Sequence, residues 1–418
     1  MIADSPDCRP FGKRLYSLPV SRVLLAYSGS LNTTLAIPWL IQQKGHEVIT
    51  FAANLGYGEY LRTLGDHALE AGASAAHIGD LRERFVRDFV LPALKANARY
   101  ESGYFLAAAL GRPLIAYELV RFASEFGCDT VAHGCTERGN NQVRFETAIA
   151  ALAPDLKVIA PIREWNLRTL DDKLAFAKRC RLKVELDGRE LRHLDGNLWG
   201  ISTQPEKDAD LWRDIPESSF VLTADPRKAP DAPTALEIDF ERGEPKALDG
   251  KPLSMLAMIE TLNRLGGKHG VGRCDIIENR VIGLKSREIY EAPAASILHT
   301  AHQALEDITL SKDLTDFKTA ASQHYANLIY RGLWYSELRT ALDGFFQAAQ
   351  RTVSGQVRLE LYKGACRVVG RRSAWSLHDP ARTESVSPAD AAGFARISAL
   401  ASRVEGRRRG GHPELRQT

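Results

Sequence analysis

The sequence predicts an α/β protein, with a parallel sheet in its first half and a mixed α+β domain in its second. Before about residue 185, short apolar runs alternate with helical patterns. Strands separated by helices of this length form parallel sheets with right-handed crossovers. Over residues 185–239 the pattern loosens and Pro and Asp become frequent. A strand and several long helical patterns follow, which predicts the second domain.

The first half alternates strands and helices in a regular order. Strands are predicted at residues 23–26, 48–53, 130–133 and 158–161, and helices at residues 35–43, 61–71, 81–98, 113–126 and 169–180. Parallel sheets of this type hold ligands beyond the carboxyl ends of their strands. The loop after residue 26 lies at such an end.

The second half begins with a predicted strand and continues mainly as helices. The strand covers residues 236–240, and helices are predicted at residues 253–265, 294–308 and 313–330, with a Gly-rich turn containing Lys268 and His269 at residues 266–272. Residues 407–418 contain three consecutive Arg and two Gly. We expect this last stretch to be disordered.

The composition is that of an ordinary globular protein. A net charge of +3 over 418 residues gives no reason to expect a nucleic-acid partner. The six Cys are scattered without a CxxC pair or a secretory leader, which favours a reduced, cytoplasmic protein. No apolar stretch approaches the roughly 18 residues that would suggest a membrane span, so no membrane partner is expected.

The loop between the first strand and the first helix is the most informative segment. It contains the sequence AYSGSLNTT, from Ala26 to Thr34. Small hydroxyl residues and Gly before a helix direct backbone N–H groups and the positive helix end at one point, where a phosphate can bind. The segment matches neither GxxxxGK[ST] nor GxGxxG, which excludes the two commonest phosphate loops. These nine residues are equally compatible with an ordinary helix N-cap.

Two further polar segments favour a ligand site over a simple cap. Residues 133–146, HGCTERGNNQVRFE, follow a predicted strand and precede a helix. Their Gly, amide and Arg residues exceed what a connecting loop needs. A third dense segment begins with GKHGVGRCD at residue 267 and continues to residue 291.

Together these segments resemble argininosuccinate synthase, of the PP-loop ATP pyrophosphatase group. The resemblance runs from about residue 22 to about residue 400, and it includes YSGxLxT, HGxTxxGNxQVRFE and GKHGVGRxDIxENRxIGxKSRxIYExP. It implies a Rossmann-like nucleotide-binding domain, a synthetase domain and a C-terminal helix that embraces a neighbouring subunit of a homotetramer. The expected boundaries are 1–21 for an N-terminal extension, 22–184 for the PP-loop domain, 185–375 for the synthetase domain and 376–418 for the C-terminal helix and tail.

The resemblance implies an ATP-dependent ligase that forms a carbon–nitrogen bond. In the family, the ureido oxygen of citrulline attacks the α-phosphate of ATP and releases pyrophosphate, and the amine of aspartate then displaces AMP. Such a reaction depends on positioning and charge stabilisation more than on a protein nucleophile. No residue is therefore assigned as a catalytic acid or base. The expected cofactors are ATP and Mg²⁺, without an assigned protein ligand for the metal.

The resemblance also implies roles for individual residues, position by position. ATP would be held by Ala26, Tyr27, Ser28, Gly29, Ser30, Leu31, Asn32, Thr33, Thr34, Ala53 and Gly134. The citrulline-like substrate would be held by Tyr104, Asn140, Arg144, Ser202, Glu278 and Tyr290. The aspartate-like substrate would be held by Thr136, Asn140 and Asn141.

Five residues depart from the family's pattern. Ser30 replaces a Gly, which would cost about 1–2 kcal/mol if that backbone has a positive φ and nothing if φ is negative. Asn32 replaces an Asp, which preserves a helix cap but gives a poorer ligand for Mg²⁺. Asn141 replaces an Asp that contacts the amine donor, so a charge-assisted hydrogen bond becomes an ordinary one and aspartate binding is expected to weaken. Ala109 and His193 replace Ser residues at citrulline positions.

Three hypotheses remain open from the sequence. The chain is an authentic argininosuccinate synthase that tolerates these changes, a divergent ligase with another acceptor or amine donor in a specialised pathway, or an impaired paralogue that binds ligands without turnover. Retention of Arg144, Glu278 and Tyr290 favours an enzyme, and the changed substrate positions favour a divergent one. A tRNA-thiolating enzyme would need a Cys pair and an RNA surface, and the sequence indicates neither.

Overall fold

The computed structural model describes residues 21–57, 61–101, 103–137, 139–182, 194–203 and 210–410. The predicted N-terminal extension, apart from Ser21, and His193 lie outside these residues. Within them the predicted α/β class is confirmed, because a parallel sheet with flanking helices precedes two antiparallel sheets.

The first part of the chain is a parallel sheet with helices on both faces. Within the described part of the chain the strand order is β3-β2-β1-β4-β5, and all neighbouring strands are parallel. The strands are β1 (Arg22–Ala26), β2 (Glu47–Asn54), β3 (Ala75–Asp80), β4 (Thr130–His133) and β5 (Lys157–Ile159). The helices are α1 (Leu31–Lys44), α2 (Leu61–Glu70), α3 (Arg82–Phe85), α4 (Leu91–Lys95), α5 (Ala107–Glu125), α6 (Asn140–Leu152), α7 (Pro161–Glu164) and α8 (Leu170–Arg179), with a π-helical turn at Val86–Val90 between α3 and α4.

The central strand β1 is apolar because both of its faces are covered. Successive side chains of a strand point to opposite faces of the sheet. Val23 and Leu25 pack in the cluster that contains the apolar residues of α1, whereas Leu24 packs in the cluster on the α5 side. All three side chains are fully buried. This packing fixes the carboxyl end of β1, from which the Gly-containing loop emerges.

The second part of the chain consists of two antiparallel sheets and several long helices. Within the described residues the sheet orders are β11-β12-β7-β6 and β10-β9-β8-β13-β14. The strands are β6 (Asp195–Asn197), β7 (Gly200–Thr203), β8 (Thr234–Glu241), β9 (Glu244–Leu248), β10 (Lys251–Pro252), β11 (Arg273–Asn279), β12 (Lys285–Glu291), β13 (Gly355–Tyr362) and β14 (Ala365–Arg372). The helices are α9 (Met255–Lys268), α10 (Pro293–Thr309), α11 (Lys312–Tyr330), α12 (Glu337–Ala349), α13 (Pro380–Glu384) and α14 (Pro388–Gly410).

Two predictions about local structure were wrong. The Gly-rich turn predicted at residues 266–272 begins later, because Gly266 and Gly267 belong to α9. A side chain on Gly267 would place its Cβ atom 2.5 Å from the carbonyl oxygen of Leu222, so this Gly permits close packing. Disorder was predicted from residue 407, but α14 continues to Gly410. Residues 411–418 lie outside the described chain.

In the first domain, strand β3 and part of helix α5 were not predicted. In the second domain, helix α12 and every described strand except β8 were not predicted. The edge strand β3 has the sequence AAHIGD, whose side chains are half-buried or exposed and lack a strong apolar pattern. Helix α5 begins six residues before the predicted start at Pro113, and Pro113 lies inside it. Within the described residues, no helix combines the length and the apolarity that crossing a membrane requires.

Candidate functional site

The loop after β1 lies where the strand order of the parallel sheet reverses. Ala26 at the end of β1 is paired with His133 at the end of β4. The neighbouring strands β1 and β4 are followed by α1 and α6, and neither helix has an acidic residue in its first turn. Two positive helix ends therefore follow the same edge of the sheet, where open α/β sheets bind ligands. Ala53, near the carboxyl end of β2, belongs to this edge as well.

The loop contains a cluster of three hydroxyl groups. The Oγ atom of Ser28 lies 3.0 Å from that of Ser30 and 3.2 Å from Oγ1 of Thr33, and the last two atoms are also 3.2 Å apart. Ser30 occupies the N-cap position of α1 without making a side-chain capping bond. The ordinary N-cap interpretation therefore does not account for this hydroxyl group, which belongs to the cluster.

The backbone conformation at Ser30 shows whether replacing the family's Gly causes strain. Ser30 has φ −68° and ψ 159°, an extended conformation that any residue adopts. The positive φ of the loop, 74°, belongs to Gly29. Replacing the family's Gly by Ser therefore places no strain on the backbone at position 30. It adds a hydroxyl group to the loop instead.

Asn32 lies beside the hydroxyl cluster in the first turn of α1. Its Oδ1 atom is buried and has no hydrogen-bond partner among the described residues. Buried polar atoms without partners are uncommon in native proteins. This oxygen is consequently available to a bound group. Nearby, the hydroxyl groups of Tyr27 and Thr34 lie 3.2 Å apart.

Gly134 brings the second polar segment against the first loop. A Cβ atom at this position would lie 2.5 Å from Cγ2 of Thr33. Only Gly therefore allows the two loops to approach this closely. Two residues further on, Thr136 is exposed to solvent, and its carbonyl oxygen accepts a hydrogen bond from the N–H of Gly139 at 3.1 Å.

A buried carboxylate, that of Glu278, organises the second part of the site. The hydroxyl groups of Tyr290 and Tyr330 donate hydrogen bonds to its two oxygens at 2.6 Å and 2.5 Å. Burial raises the pKa of Glu278, and the two phenols partly offset the rise. Burial also raises the pKa of Tyr290 and Tyr330 well above the ordinary value, so both remain hydrogen-bond donors.

Aromatic rings surround this carboxylate. The rings of Tyr104 and Tyr290 stack with centroids 4.1 Å apart, and those of Tyr100 and Tyr330 stack at 3.6 Å. Tyr290 is paired across the sheet with Ser202 of β7. Burial raises the pKa of Tyr104 to about 12. Its hydroxyl oxygen accepts hydrogen bonds from backbone N–H groups at the start of α5, including that of Ala109 at 3.3 Å.

Helix α6 contributes two residues that contact Tyr330. The side chain of Asn140 donates to the Tyr330 hydroxyl at 2.8 Å, and its oxygen accepts from the N–H of Val281 at 3.0 Å. The guanidinium of Arg144 lies 4.8 Å from the centre of the Tyr330 ring, and its Nε atom donates to the Tyr330 carbonyl oxygen at 2.8 Å. The structure therefore joins residues of the parallel-sheet domain to residues of the second domain.

Asn141 connects the site to a charged pair. Its amide oxygen accepts from Arg144 at 3.0 Å, and its amide nitrogen donates to Asp195 Oδ2 at 2.9 Å. The same Asp195 oxygen accepts a hydrogen bond from Arg112. The carbonyl oxygen of Asp195 accepts from the Ser202 hydroxyl at 3.4 Å.

The structure brings the six residues expected at the citrulline-like position into one connected group. It also identifies residues that the sequence did not indicate, namely Tyr100, Arg112, Asp195 and Tyr330. Tyr330 ends a long amphipathic helix pattern, in which an aromatic residue ordinarily indicates core packing. Asp195 lies in the stretch where periodicity was lost. From this stretch the resemblance indicated only Ser202 and the citrulline position that His193 occupies.

The fold and the site define a nucleotide-binding α/β enzyme whose second domain supplies a buried cluster of polar and aromatic residues around Glu278. Residues 22–183 match the model of the arginosuccinate synthase N-terminal HUP domain, and residues 193–405 match that of the arginosuccinate synthase C-terminal domain. The chain is 44% identical over 404 residues to an argininosuccinate synthase of Roseiflexus sp. (strain RS-1), covering 94% of this chain and 99% of the relative. It is 47% identical over 358 residues to that of Chlorobium phaeobacteroides (strain BS1), covering 86% and 89%.

The chain belongs to the argininosuccinate synthase family. It is accordingly an ATP-dependent ligase that forms carbon–nitrogen bonds. The expectation drawn from the three polar segments is confirmed at the level of family, fold class and type of enzyme.

Proposed function

We propose that the chain joins citrulline to aspartate in two steps. The ureido oxygen of citrulline attacks the α-phosphate of ATP, forms a carbon–oxygen–phosphorus link and releases pyrophosphate. The amine of aspartate then attacks the ureido carbon, loses a proton and displaces AMP. The observation that carries this proposal is the connection between the loop after β1 and the residues around Glu278. A hydroxyl-rich loop at the sheet's switch point touches Gly134, and Gly134 begins the segment that reaches the Glu278 pocket through Asn140.

The ATP site is proposed at residues 26–34, with Ala53 and Gly134. The backbone N–H groups in the first turn of α1 and the hydroxyl groups of Ser28, Ser30 and Thr33 offer donors for phosphate oxygens. Such donors stabilise charge that develops on the departing pyrophosphate. Ser30 supplies a donor that the family's Gly lacks.

The citrulline-like acceptor is proposed to lie among Tyr104, Ser202, Glu278 and Tyr290. A ureido group carries N–H donors, and a buried carboxylate is a strong acceptor for them. The rings of Tyr104 and Tyr290 form an apolar wall beside Glu278. The Arg144 guanidinium and the Asn140 amide supply polar contacts on the side of α6.

The aspartate-like amine donor is proposed to bind at Thr136, Asn140 and Asn141. Thr136 is exposed, and the other two residues occupy the first turn of α6. A helix N-terminus attracts carboxylates, which suits a dicarboxylic amine donor. Asn140 contributes to both proposed substrate positions, which would bring acceptor and donor together.

Mg²⁺ is proposed to accompany ATP. The unpartnered Oδ1 atom of Asn32 fits a contact to a hard cation, because amide oxygens are accepted ligands of such ions. The described residues contain no cluster of three or more His, Cys, Asp or Glu residues that could hold a metal ion by themselves. When bound, the ion would neutralise charge on the phosphates. Asn32 would contact the ion, and the hydroxyl groups of the loop would hold the phosphates.

Measuring ATP-dependent pyrophosphate release tests the proposed reaction. Citrulline and aspartate together are expected to give release. The product is expected to join both substrates through a guanidino group, with the ureido oxygen leaving on AMP. Glu278→Gln is expected to lose most activity. Glu360→Gln, which changes a partly exposed carboxylate paired with Arg367, is the matched control and is expected to retain it.

Other outcomes would favour the two alternative functions. Release only with a different acceptor or amine would support the divergent ligase. The specific reason to test this alternative is that Ala109 and Asn141 differ from the family's pattern at substrate positions. Nucleotide binding without release for any pair would support the impaired paralogue, which binds ligands without turnover.

We further propose a homotetramer in the cytoplasm, as the resemblance implies. Helix α14 carries Phe394, Ile397 and Val404, all exposed within the described chain. Large exposed apolar side chains on one helix suit an interface with a second copy. Sedimentation equilibrium is expected to give the tetramer mass, and Ile397→Asp is expected to lower it. A monomer at working concentration would refute this proposal.

A further inference from the structure

Four polar side chains form a continuous row beside the proposed amine-donor position. In order they are Arg144, Asn141, Asp195 and Arg112. Both hydrogen-bonding groups of the Asn141 amide are used, because its oxygen faces Arg144 at 3.0 Å and its nitrogen faces Asp195 at 2.9 Å. These bonds fix which way the amide points. The amide therefore cannot turn its oxygen towards a ligand without losing a contact to Arg144.

Asp195 has one carboxylate oxygen that is not engaged within this row. Its Oδ2 atom accepts from both Arg112 and Asn141, whereas no described residue donates to Oδ1. The Asp195 side chain is 26% exposed, so a ligand can reach it, while that of Arg112 is 14% exposed. The Nε atom of Arg112 is buried and has no partner among the described residues.

The Asp195 carboxylate is ionised in this environment. Burial raises the pKa of this carboxyl, but Arg112 and the Asn141 amide lower it further than burial raises it. The resulting pKa lies below the ordinary value of an Asp. The row therefore carries two guanidinium groups and one carboxylate. That carboxylate is its only negative charge.

We propose that Asp195 is a specificity-determining residue that accepts a hydrogen bond from the ammonium group of the amine donor. This inference rests on the proposed function, which places the amine donor at Asn141. In the family's pattern a carboxylate stands at position 141, but here the side chain is a neutral amide. The carboxylate bonded to that amide supplies the charge instead, through its unengaged oxygen. Asn141 holds Asp195 in place.

The same geometry changes the expectation for Asn141→Asp. From the sequence alone, restoring the carboxylate would strengthen aspartate binding. In the structure the new carboxylate would lie against Oδ2 of Asp195, where Asn141 now donates at 2.9 Å. Two carboxylates at such a distance cannot both ionise freely. We therefore expect no gain in aspartate affinity from this substitution by itself.

Four proteins test the inference: the unmodified chain, Asp195→Asn, Asn141→Asp, and the exchange variant that carries both changes. The exchange variant keeps one carboxylate and one amide but moves the carboxylate from position 195 to position 141. Asp307→Asn, which removes a surface partner of Arg371, is the matched control. KM values for aspartate, citrulline and ATP are measured by pyrophosphate release. Thermal melting verifies that each protein is folded.

Asp195→Asn is expected to raise the aspartate KM about tenfold, with less than a threefold change for citrulline and ATP. The exchange variant is expected to return the aspartate KM to within about threefold of the unmodified value. An unchanged aspartate KM in Asp195→Asn, or an equal rise for citrulline, would overturn the inference. If Asp195→Asn does not fold, Asn141→Asp decides, because a tenfold lower aspartate KM there would contradict the assigned role.

Failure of the proposed function gives a different result. In that case the unmodified chain releases no pyrophosphate with citrulline and aspartate. Aspartate binding to the same proteins is then measured by calorimetry. Weaker binding to Asp195→Asn than to the unmodified chain supports the inference, and equal binding or none to either overturns it.

Discussion

The hydroxyl group of Tyr330 offers a sharp test of how the proposed acceptor site around Glu278 is held in place. It donates to Glu278 at 2.5 Å and accepts from Asn140 at 2.8 Å. Tyr330→Phe removes this one oxygen and preserves the ring that stacks on Tyr100. A hydrogen bond to a charged group contributes about 1.5–3 kcal/mol. Losing it from the buried Glu278 carboxylate is therefore expected to lower kcat/KM for citrulline by about tenfold to a hundredfold.

The pH dependence separates this role from general packing. Burial already raises the pKa of Glu278, and the Tyr330 hydrogen bond opposes that rise. Without the hydroxyl group the pKa rises further. The carboxylate form is present above the pKa and is lost as the pH falls through it. The acid limb of kcat/KM for citrulline is therefore expected to move to higher pH in Tyr330→Phe.

Tyr100→Phe is the matched control for this prediction. Its hydroxyl group donates to the carbonyl oxygen of Asn279 at 2.7 Å and does not bond Glu278, while its ring makes the same stack. Steady-state kinetics over a pH series, with melting temperatures for both variants, complete the assay. If Tyr330→Phe and Tyr100→Phe show the same kcat/KM and the same acid limb, the assigned role of the Tyr330 hydroxyl is refuted.

Three further substitutions test other parts of the structure. Gly134→Ala places a methyl group 2.5 Å from Thr33 Cγ2. We therefore expect the KM for ATP to rise about tenfold, which corresponds to about 1.4 kcal/mol. An unchanged KM would show that ATP binding does not require the close approach of the two loops. Asn32→Asp is expected to lower the Mg²⁺ concentration needed for half-maximal activity, and no change in a metal titration would exclude this contact. Lys318→Met removes the ammonium group that lies 3.1 Å from the buried Glu306 carboxylate. The free energy of unfolding, measured in urea, is therefore expected to fall by about 3–5 kcal/mol. A decrease below about 1 kcal/mol would contradict the importance of this ion pair.

Local patterns predicted much of the first domain. Strands β1 and β4 contain short runs of apolar residues, and the Gly of the first loop follows shortly after β1. These features are therefore visible in a short stretch of sequence. The edge strand β3 escaped prediction because its residues Ala75–Asp80 include only one β-branched side chain and are half exposed. A strand of this composition is specified mainly by its pairing with β2, which a local pattern does not contain.

The residues around Glu278 show what sequence patterns omit. Glu278 and Tyr290 were identified through a motif that contains both, but Tyr330 lies 52 residues beyond Glu278 and bonds it directly. Nothing in the helical pattern of α11 distinguishes this Tyr from a core residue. Asp195 was likewise invisible, since its partners Arg112 and Asn141 lie 83 and 54 residues away along the chain. Long-range polar pairing depends on the folded geometry.

The Tyr330 hydroxyl has a consequence for how the protein unfolds. It joins Asn140, in the region matched by the N-terminal family model, to Glu278, in the region matched by the C-terminal one. A ligand that occupies this junction binds only when both regions are folded. Its binding free energy is then added to the stability of both at once. Saturating acceptor is therefore expected to raise the melting temperature of both regions together.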